Sequence, residues 1–203
     1  MTDLATPEPR VTAERPVRPG KLAHVVLRTR DHLEEMIKWY RTVLAADLIY
    51  RNERIAFLSY DEEHHRIAIA GGPDMADRPH RAVGLDHIAF TYDRLADLLA
   101  TYARLKGEGI LPFCNVNHGP TTSLYYLDPD DNRIELQIDN FEDMHDATDL
   151  MVDRFDVNPV GVEFDADEWI ERLNAGERAE EIVRLPVEQA PPTAQLITRL
   201  RSS

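Results

Sequence analysis

Short apolar runs alternate with polar stretches along most of the chain, and the runs come in the same order twice. The first set opens at Leu22–Leu27, an apolar run that reads as a buried strand. An amphipathic segment follows, Asp31–Ala46, with Asp31 placed as its N-cap. Three short strands come next, near Leu48–Arg51, Ile55–Tyr60 and Arg66–Ala70. The second set repeats this order. It predicts a strand at Leu85–Phe90, a helix over Asp93–Gly107 with Asp93 as N-cap and Gly107 as stop, and strands near Ile110–Cys114, Ser123–Leu127 and Arg133–Ile138. Asp128–Asn132 ("DPDDN") reads as a tight turn with proline at its second position. His24 matches His87, Leu33 matches Leu95, and Tyr40 matches Tyr102 to within a residue. "HRIAI" at 65–69 matches "NRIEL" at 132–136. The fold class is therefore α+β, with two βαβββ modules at 21–72 and 85–140 making one domain over 21–140.

The pattern stops after Asn140. Residues 141–203 read as a C-terminal helical extension that packs on the domain or on a partner chain. Its clearest helix is "DADEWIERLNAGE", with Asp165 as N-cap, Trp169, Ile170 and Leu173 on one face, and Gly176 as stop. The last residues, "VEQAPPTAQLITRLRSS", are expected to be mobile, and 1–20 to be a disordered or extended arm.

Composition narrows the partners. A formal net charge of −14 repels nucleic acid and anionic membrane, so neither is expected as a partner. The lone Cys114 allows no intrachain disulfide and suits a reducing compartment. The polar, proline-rich N-terminus has no apolar core of a secretory signal, and no apolar run reaches the length of a membrane span. A cytoplasmic protein is the expectation.

One residue breaks the apolar pattern. Glu135 stands between Ile134 and Leu136 on a predicted strand. Alternation points it to the face opposite its neighbours, where an unpaired buried charge would be costly. A metal ion shared with His24 and His87, which occupy matching places in the two modules, would satisfy it. Two imidazoles and one carboxylate leave three open coordination positions, an arrangement associated with non-haem Fe(II) and O₂. A histidine hydrogen-bonded in the core is the bland alternative for either position taken alone.

His24 in "KLAHVVL", His87 in "GLDHIAF" and Glu135 in "DPDDNRIELQ", set in doubled βαβββ units, resemble the vicinal oxygen chelate superfamily. The resemblance implies a cupped mixed sheet around a divalent metal. Within the superfamily, a carboxylate ligand is usual at the place where this chain has Ala68. Alanine cannot ligate, so the chain resembles the type I extradiol catechol dioxygenases, whose metal has three protein ligands. The cofactor implied is Fe(II), with Mn(II) as alternative. "HHRIAIA" is similar to that group's His-x-x-Ala segment, which makes His65 the acid/base residue. Alternation along the strand puts His65 opposite Ala68 unless the chain bends there, so His64 stays a candidate. "NHGPTTSLYYLDPDDNRIEL" resembles the signature that supplies His118 and Tyr125 as contacts to substrate oxygens. The implied partners are a small aromatic diol and O₂. The single pair of modules with a tail is similar to one-domain enzymes linked to biaryl or bicyclic catechols such as 2,3-dihydroxybiphenyl. A homo-oligomer, dimer or higher, is expected, with the tail capping the pocket or pairing subunits. The competing readings are a non-oxidative lyase or isomerase of the glyoxalase type and a metal-free binding protein of the resistance kind.

Overall fold

The computed structural model describes residue 16 and residues 18–76, 83–184 and 194–202. Most of the predicted N-terminal arm, part of the linker between the modules, and residues 185–193 and 203 of the extension lie outside the described residues. In the first module β1 (Val25–Thr29), α1 (Leu33–Val43), β2 (Asp47–Arg51), β3 (Ile55–Ser59) and β4 (Ile67–Gly71) form a sheet in the order β1-β4-β3-β2. In the second, β5 (His87–Thr91), α2 (Leu95–Gly107), β6 (Cys114–Asn117), β7 (Thr121–Leu127) and β8 (Arg133–Asp139) form a sheet in the order β5-β8-β7-β6. The cupped mixed sheet expected from the sequence is thus built as two sheets, each with one parallel pair and antiparallel neighbours.

Strand pairing makes the repeat quantitative. In the first module Val26 lies opposite Ala68; in the second Ala89 lies opposite Glu135. His24 and His87 each stand two residues before those partners, so Ala68 and Glu135 occupy the same place in the two copies.

Helix spacing explains the core. α1 buries Met36, Ile37, Tyr40 and Val43, and α2 buries Leu95, Leu98, Leu99, Tyr102 and Leu105, the 3–4 spacing of one apolar stripe. These stripes pack with Ile67, Ile69, Ile134 and Leu136 in one core shared by both modules. Each fully buried leucine there contributes roughly 1.5–3 kcal/mol. Side-chain hydrogen bonds also join the modules. The buried Tyr40 hydroxyl donates to Asp128 Oδ2 at 2.9 Å, and Arg104 Nη1 donates to the Thr42 carbonyl at 2.7 Å.

The helix starts differ from expectation. His32 and Arg94, not Asp31 and Asp93, stand at the N-caps, and neither caps with its side chain. Asp31 is bonded by Arg30 at 2.9 Å, while Thr29 Oγ1 accepts from the His32 N–H at 3.1 Å. α2 does end at Gly107 as expected, and Gly109, whose φ of +80° suits the left-handed position, follows the closed helix end. That closure draws the Ile110 N–H onto the Leu105 carbonyl, and Pro112 has no N–H, so the predicted strand at Ile110–Cys114 starts only at Cys114. Asp128 Oδ1 accepts from the Asp130 and Asn132 N–H groups at 2.9 Å each, fixing the predicted "DPDDN" turn.

The extension belongs to the second module. It contains α3 (Met144–Arg154), β9 (Val162–Glu163), α4 (Ala166–Asn174), α5 (Ala179–Ile182) and α6 (Ala194–Ser202). β9 adds a fifth strand beside β6. Asp165 caps α4 by accepting from the Asp167 and Glu168 N–H groups, as expected. Trp169, Ile182 and Val183 join the main core, so this part packs on its own domain. The expectation of a mobile end is corrected for the described part of α6. Leu196 is 1% exposed, packed with Cys114, Val116 and Tyr125, and Leu200 lies one turn on against the same cluster.

Candidate active site

Ile134 and Leu136 enter the core, so Glu135 emerges on the other face of β8, called here the inner face. It is only 4% exposed. Its direct neighbour across the strand pair is Tyr125, whose hydroxyl lies 3.0 Å from Oε1. The second carboxylate oxygen, Oε2, lies 2.9 Å from His87 Nε2. The other nitrogen of His87 is 2.8 Å from Asp86 Oδ2. Tyr125 Oη also lies 2.9 Å from His118 Nε2, and His118 Nδ1 lies 2.5 Å from the Val160 carbonyl oxygen. The result is a continuous polar chain: Asp86, His87, Glu135, Tyr125, His118, Val160.

Electrostatics follow from these contacts. The hydrogen bond to Glu135, helped by Asp86 and opposed by burial, pushes His87 up to about 9. Burial pushes Glu135 up, but the hydrogen bond and charge of His87 outweigh it and hold the carboxyl below its usual range. Burial lowers His118 and keeps it neutral at cellular pH. Burial, with the Glu135 charge beside it, raises the Tyr125 hydroxyl and keeps it protonated.

The first module gathers its histidines separately. His24 is exposed and immediately precedes β1. Its ring centroid is 4.5 Å from that of His65, which is also 4.7 Å from Phe57. Phe57 pairs with Ala68, opposite the core residues Ala56 and Leu58, so it is on the inner face. His65 reaches that face because β4 begins only at Ile67, and strict alternation does not extend back to residue 65. His64 is more exposed, with its Nδ1 2.5 Å from His65 Nδ1. Burial, then the neighbouring His64 and His24, lower His65. A cleft of about 520 Å³ lies between α1 and β2, but none of these residues lines it.

The structure therefore brings His87, Glu135, Tyr125 and His118 together, and separately His24, His65 and His64. Among the described residues no three His, Cys, Asp or Glu side chains stand close enough to hold one ion. As a donor set, two imidazoles and a buried carboxylate suit a divalent ion, and His87 and Glu135 already face each other. His24 packs against His65 and is not brought to that pair. Sequence reasoning missed Asp86 and the Val160 carbonyl. Asp86 was findable as the acidic neighbour of His87, whereas a backbone carbonyl in a distant segment leaves no pattern.

Residues 21–136 match the profile of the Glyoxalase/Bleomycin resistance protein/Dioxygenase superfamily. The chain belongs to this superfamily. The first module, the second as far as Leu136 and with it Glu135 lie inside the matched stretch, and the extension lies beyond it. Among curated members, the chain is 48% identical to biphenyl-2,3-diol 1,2-dioxygenase 2 of Rhodococcus globerulus over 158 residues, 77% of this chain and 83% of that protein. It is 44% identical to biphenyl-2,3-diol 1,2-dioxygenase 3 of the same organism over 159 residues, again 77% and 83%. Among solved structures, a superfamily domain from Frankia sp. EAN1pec superposes with a TM-score of 0.50 at 20% identity, covering 60% of this chain and 99% of that one, a likeness of fold. No helix among the described residues is long and apolar enough to cross a membrane.

Proposed function

We propose that this chain is an extradiol ring-cleaving dioxygenase that opens an aromatic diol of the biaryl type with O₂. One observation carries the reading. A buried carboxylate, Glu135, is wired to His87, Tyr125 and His118 on the inner face of the second module, while the equivalent place in the first module is Ala68. A carboxylate on one side only leaves room on an ion for a two-oxygen substrate and a third small ligand. The 48% identical relative is named for an activity of this kind.

His24, His87 and Glu135 would hold the metal, Fe(II) with Mn(II) as alternative. When bound, the ion lowers the pKa of diol hydroxyls and couples the ring's electrons to O₂. The remaining work belongs to the chain. Tyr125 holds Glu135 Oε1 and so fixes the plane in which Oε2 is offered. Asp86 orients the His87 ring through Nδ1. His65, lowered by burial and its histidine neighbours, is neutral at cellular pH and able to take a diol proton at a free ring nitrogen and return it. Phe57 and the His24 ring brace it. Exposed Leu22, Val26, Ile49 and Tyr50 on the first module supply apolar surface for self-association, the homo-oligomer we expect.

The test is anaerobic loading with ferrous iron followed by 2,3-dihydroxybiphenyl and oxygen. The expected result is one O₂ consumed per diol and a yellow ring-opened product. A fully metal-loaded protein that consumes no O₂ with any catechol contradicts the reading and favours lyase or isomerase chemistry.

A further inference from the structure

Just before β9, the extension makes a tight turn against the end of β6. Asn158, 1% exposed, accepts at Oδ1 from the Val160 and Gly161 N–H groups at 3.1 and 2.8 Å. Its Nδ2 donates to the Gly161 carbonyl at 3.0 Å. Gly161 has φ +99°, and a Cβ there would lie 2.2 Å from the Asn117 carbonyl oxygen and 2.7 Å from His118 Cα. No side chain fits at that approach. Val162 then pairs with Asn117 in the β6–β9 ladder, and Asn117 Nδ2 donates to the Val183 carbonyl at 2.7 Å. The turn is clamped to Asn117, the residue before His118, by the close approach of Gly161 and the pairing of Val162.

That clamp sets what Val160 does. Its carbonyl oxygen lies 2.5 Å from His118 Nδ1, and a carbonyl can only accept, so Nδ1 must carry a hydrogen. In a neutral ring the other nitrogen is then a lone-pair acceptor, and it lies 2.9 Å from Tyr125 Oη. The Tyr125 hydroxyl has one proton for two acceptors, His118 Nε2 and Glu135 Oε1. We infer that the extension fixes the tautomer of His118: the Val160 carbonyl, held in place by Asn158 and Gly161, keeps the proton on Nδ1 and leaves Nε2 as the acceptor facing Tyr125.

Val160 and Gly161 are thus positioning residues, acting on the site from a segment beyond the two modules. Resting on the dioxygenase reading, in which His65 takes the diol proton, the consequence is that His118 Nε2 competes with Glu135 Oε1 for the one Tyr125 hydroxyl proton.

The experiment is long-range ¹H–¹⁵N correlation on the full-length, ¹⁵N-histidine-labelled protein at neutral pH, with the His118 signals assigned by their loss in His118→Gln. Free neutral histidine favours the Nε2–H form. His118 is expected to show the Nδ1–H pattern instead, and an Nε2–H pattern overturns the inference. The second arm is Gly161→Ala, which pushes the turn off Asn117. A shift of the His118 signals toward Nε2–H supports the extension as cause, and an unchanged Nδ1–H pattern in a folded variant overturns it. If Gly161→Ala does not fold, the wild-type spectrum decides alone. A His118 found as Nδ1–H in protein that consumes no O₂ with any catechol upholds this inference while sinking the dioxygenase reading.

Discussion

The second module buries its carboxylate, lines up Tyr125 and His118 behind it, and is covered by β9, α4 and α6. The first module, with the same strand order, has Ala68 at the matching position and leaves His24 and His64 open to solvent. Its edge strand β2 carries the exposed Asp47 and Arg51 and, among the described residues, no added strand. A hydrogen-bonded chain works best away from water, where its contacts are strong and its protons stay assigned. Groups that exchange with substrate must stay reachable. Duplication supplied two equal scaffolds, and burial divided the labour between them.

Breaking the second module should have the largest effect. Glu135→Ala removes the only buried carboxylate among the candidate ligands and should abolish metal retention. Loss of several kcal/mol of Lewis-acid stabilisation puts ring opening down by roughly 10³-fold or more. Metal analysis after gel filtration checks it, and a folded variant that keeps its ion removes Glu135 from the ligand set. His65→Phe strikes the first module. It should keep metal and diol binding but slow ring opening by about 10²–10⁴-fold. Single-turnover rates against diol affinity separate the two effects, and unchanged turnover would shift the role to His64 or His118.

Ala68→Glu makes the modules alike. Without metal, a carboxylate at a position 2% exposed should cost about 3 kcal/mol, and bound metal should restore most of it. Thermal unfolding with and without the ion measures this. Equal destabilisation in both conditions would mean that position 68 does not face the ion. The mildest change is Tyr40→Phe, which cuts a buried link between the modules. It should lower stability by roughly 1.5–3 kcal/mol, the range for a hydrogen bond to a charged group, and leave turnover unchanged. A matching loss of turnover would show that the site depends on how the modules are docked.

Much of this contrast is legible in the residues alone. Period-2 alternation puts Glu135 opposite Ile134 and Leu136, and matching "HRIAI" to "NRIEL" sets Ala68 in its place before any pairing is known. Local chemistry misled at the ends of elements. Aspartates at 31 and 93 have the right type for N-caps, but Arg30 engages Asp31 and Arg94 takes the second cap position. Leu196 and Leu200 are two apolar residues in a polar tail, too weak a pattern to show that they cover Cys114, Val116 and Tyr125. The Val160 carbonyl had no signal at all, since its role depends on where the backbone returns. Nor does the sequence reveal that the His24 ring packs against His65, because that depends on local chain geometry.

The most direct test of the central claim is ferrous-ion binding under anaerobic conditions, measured for the wild type and for His24→Ala, His87→Ala and Glu135→Ala in turn. The account predicts one ion per chain in the wild type and its loss in each of the three variants. Undiminished affinity in folded His24→Ala would show that the two modules do not share an ion.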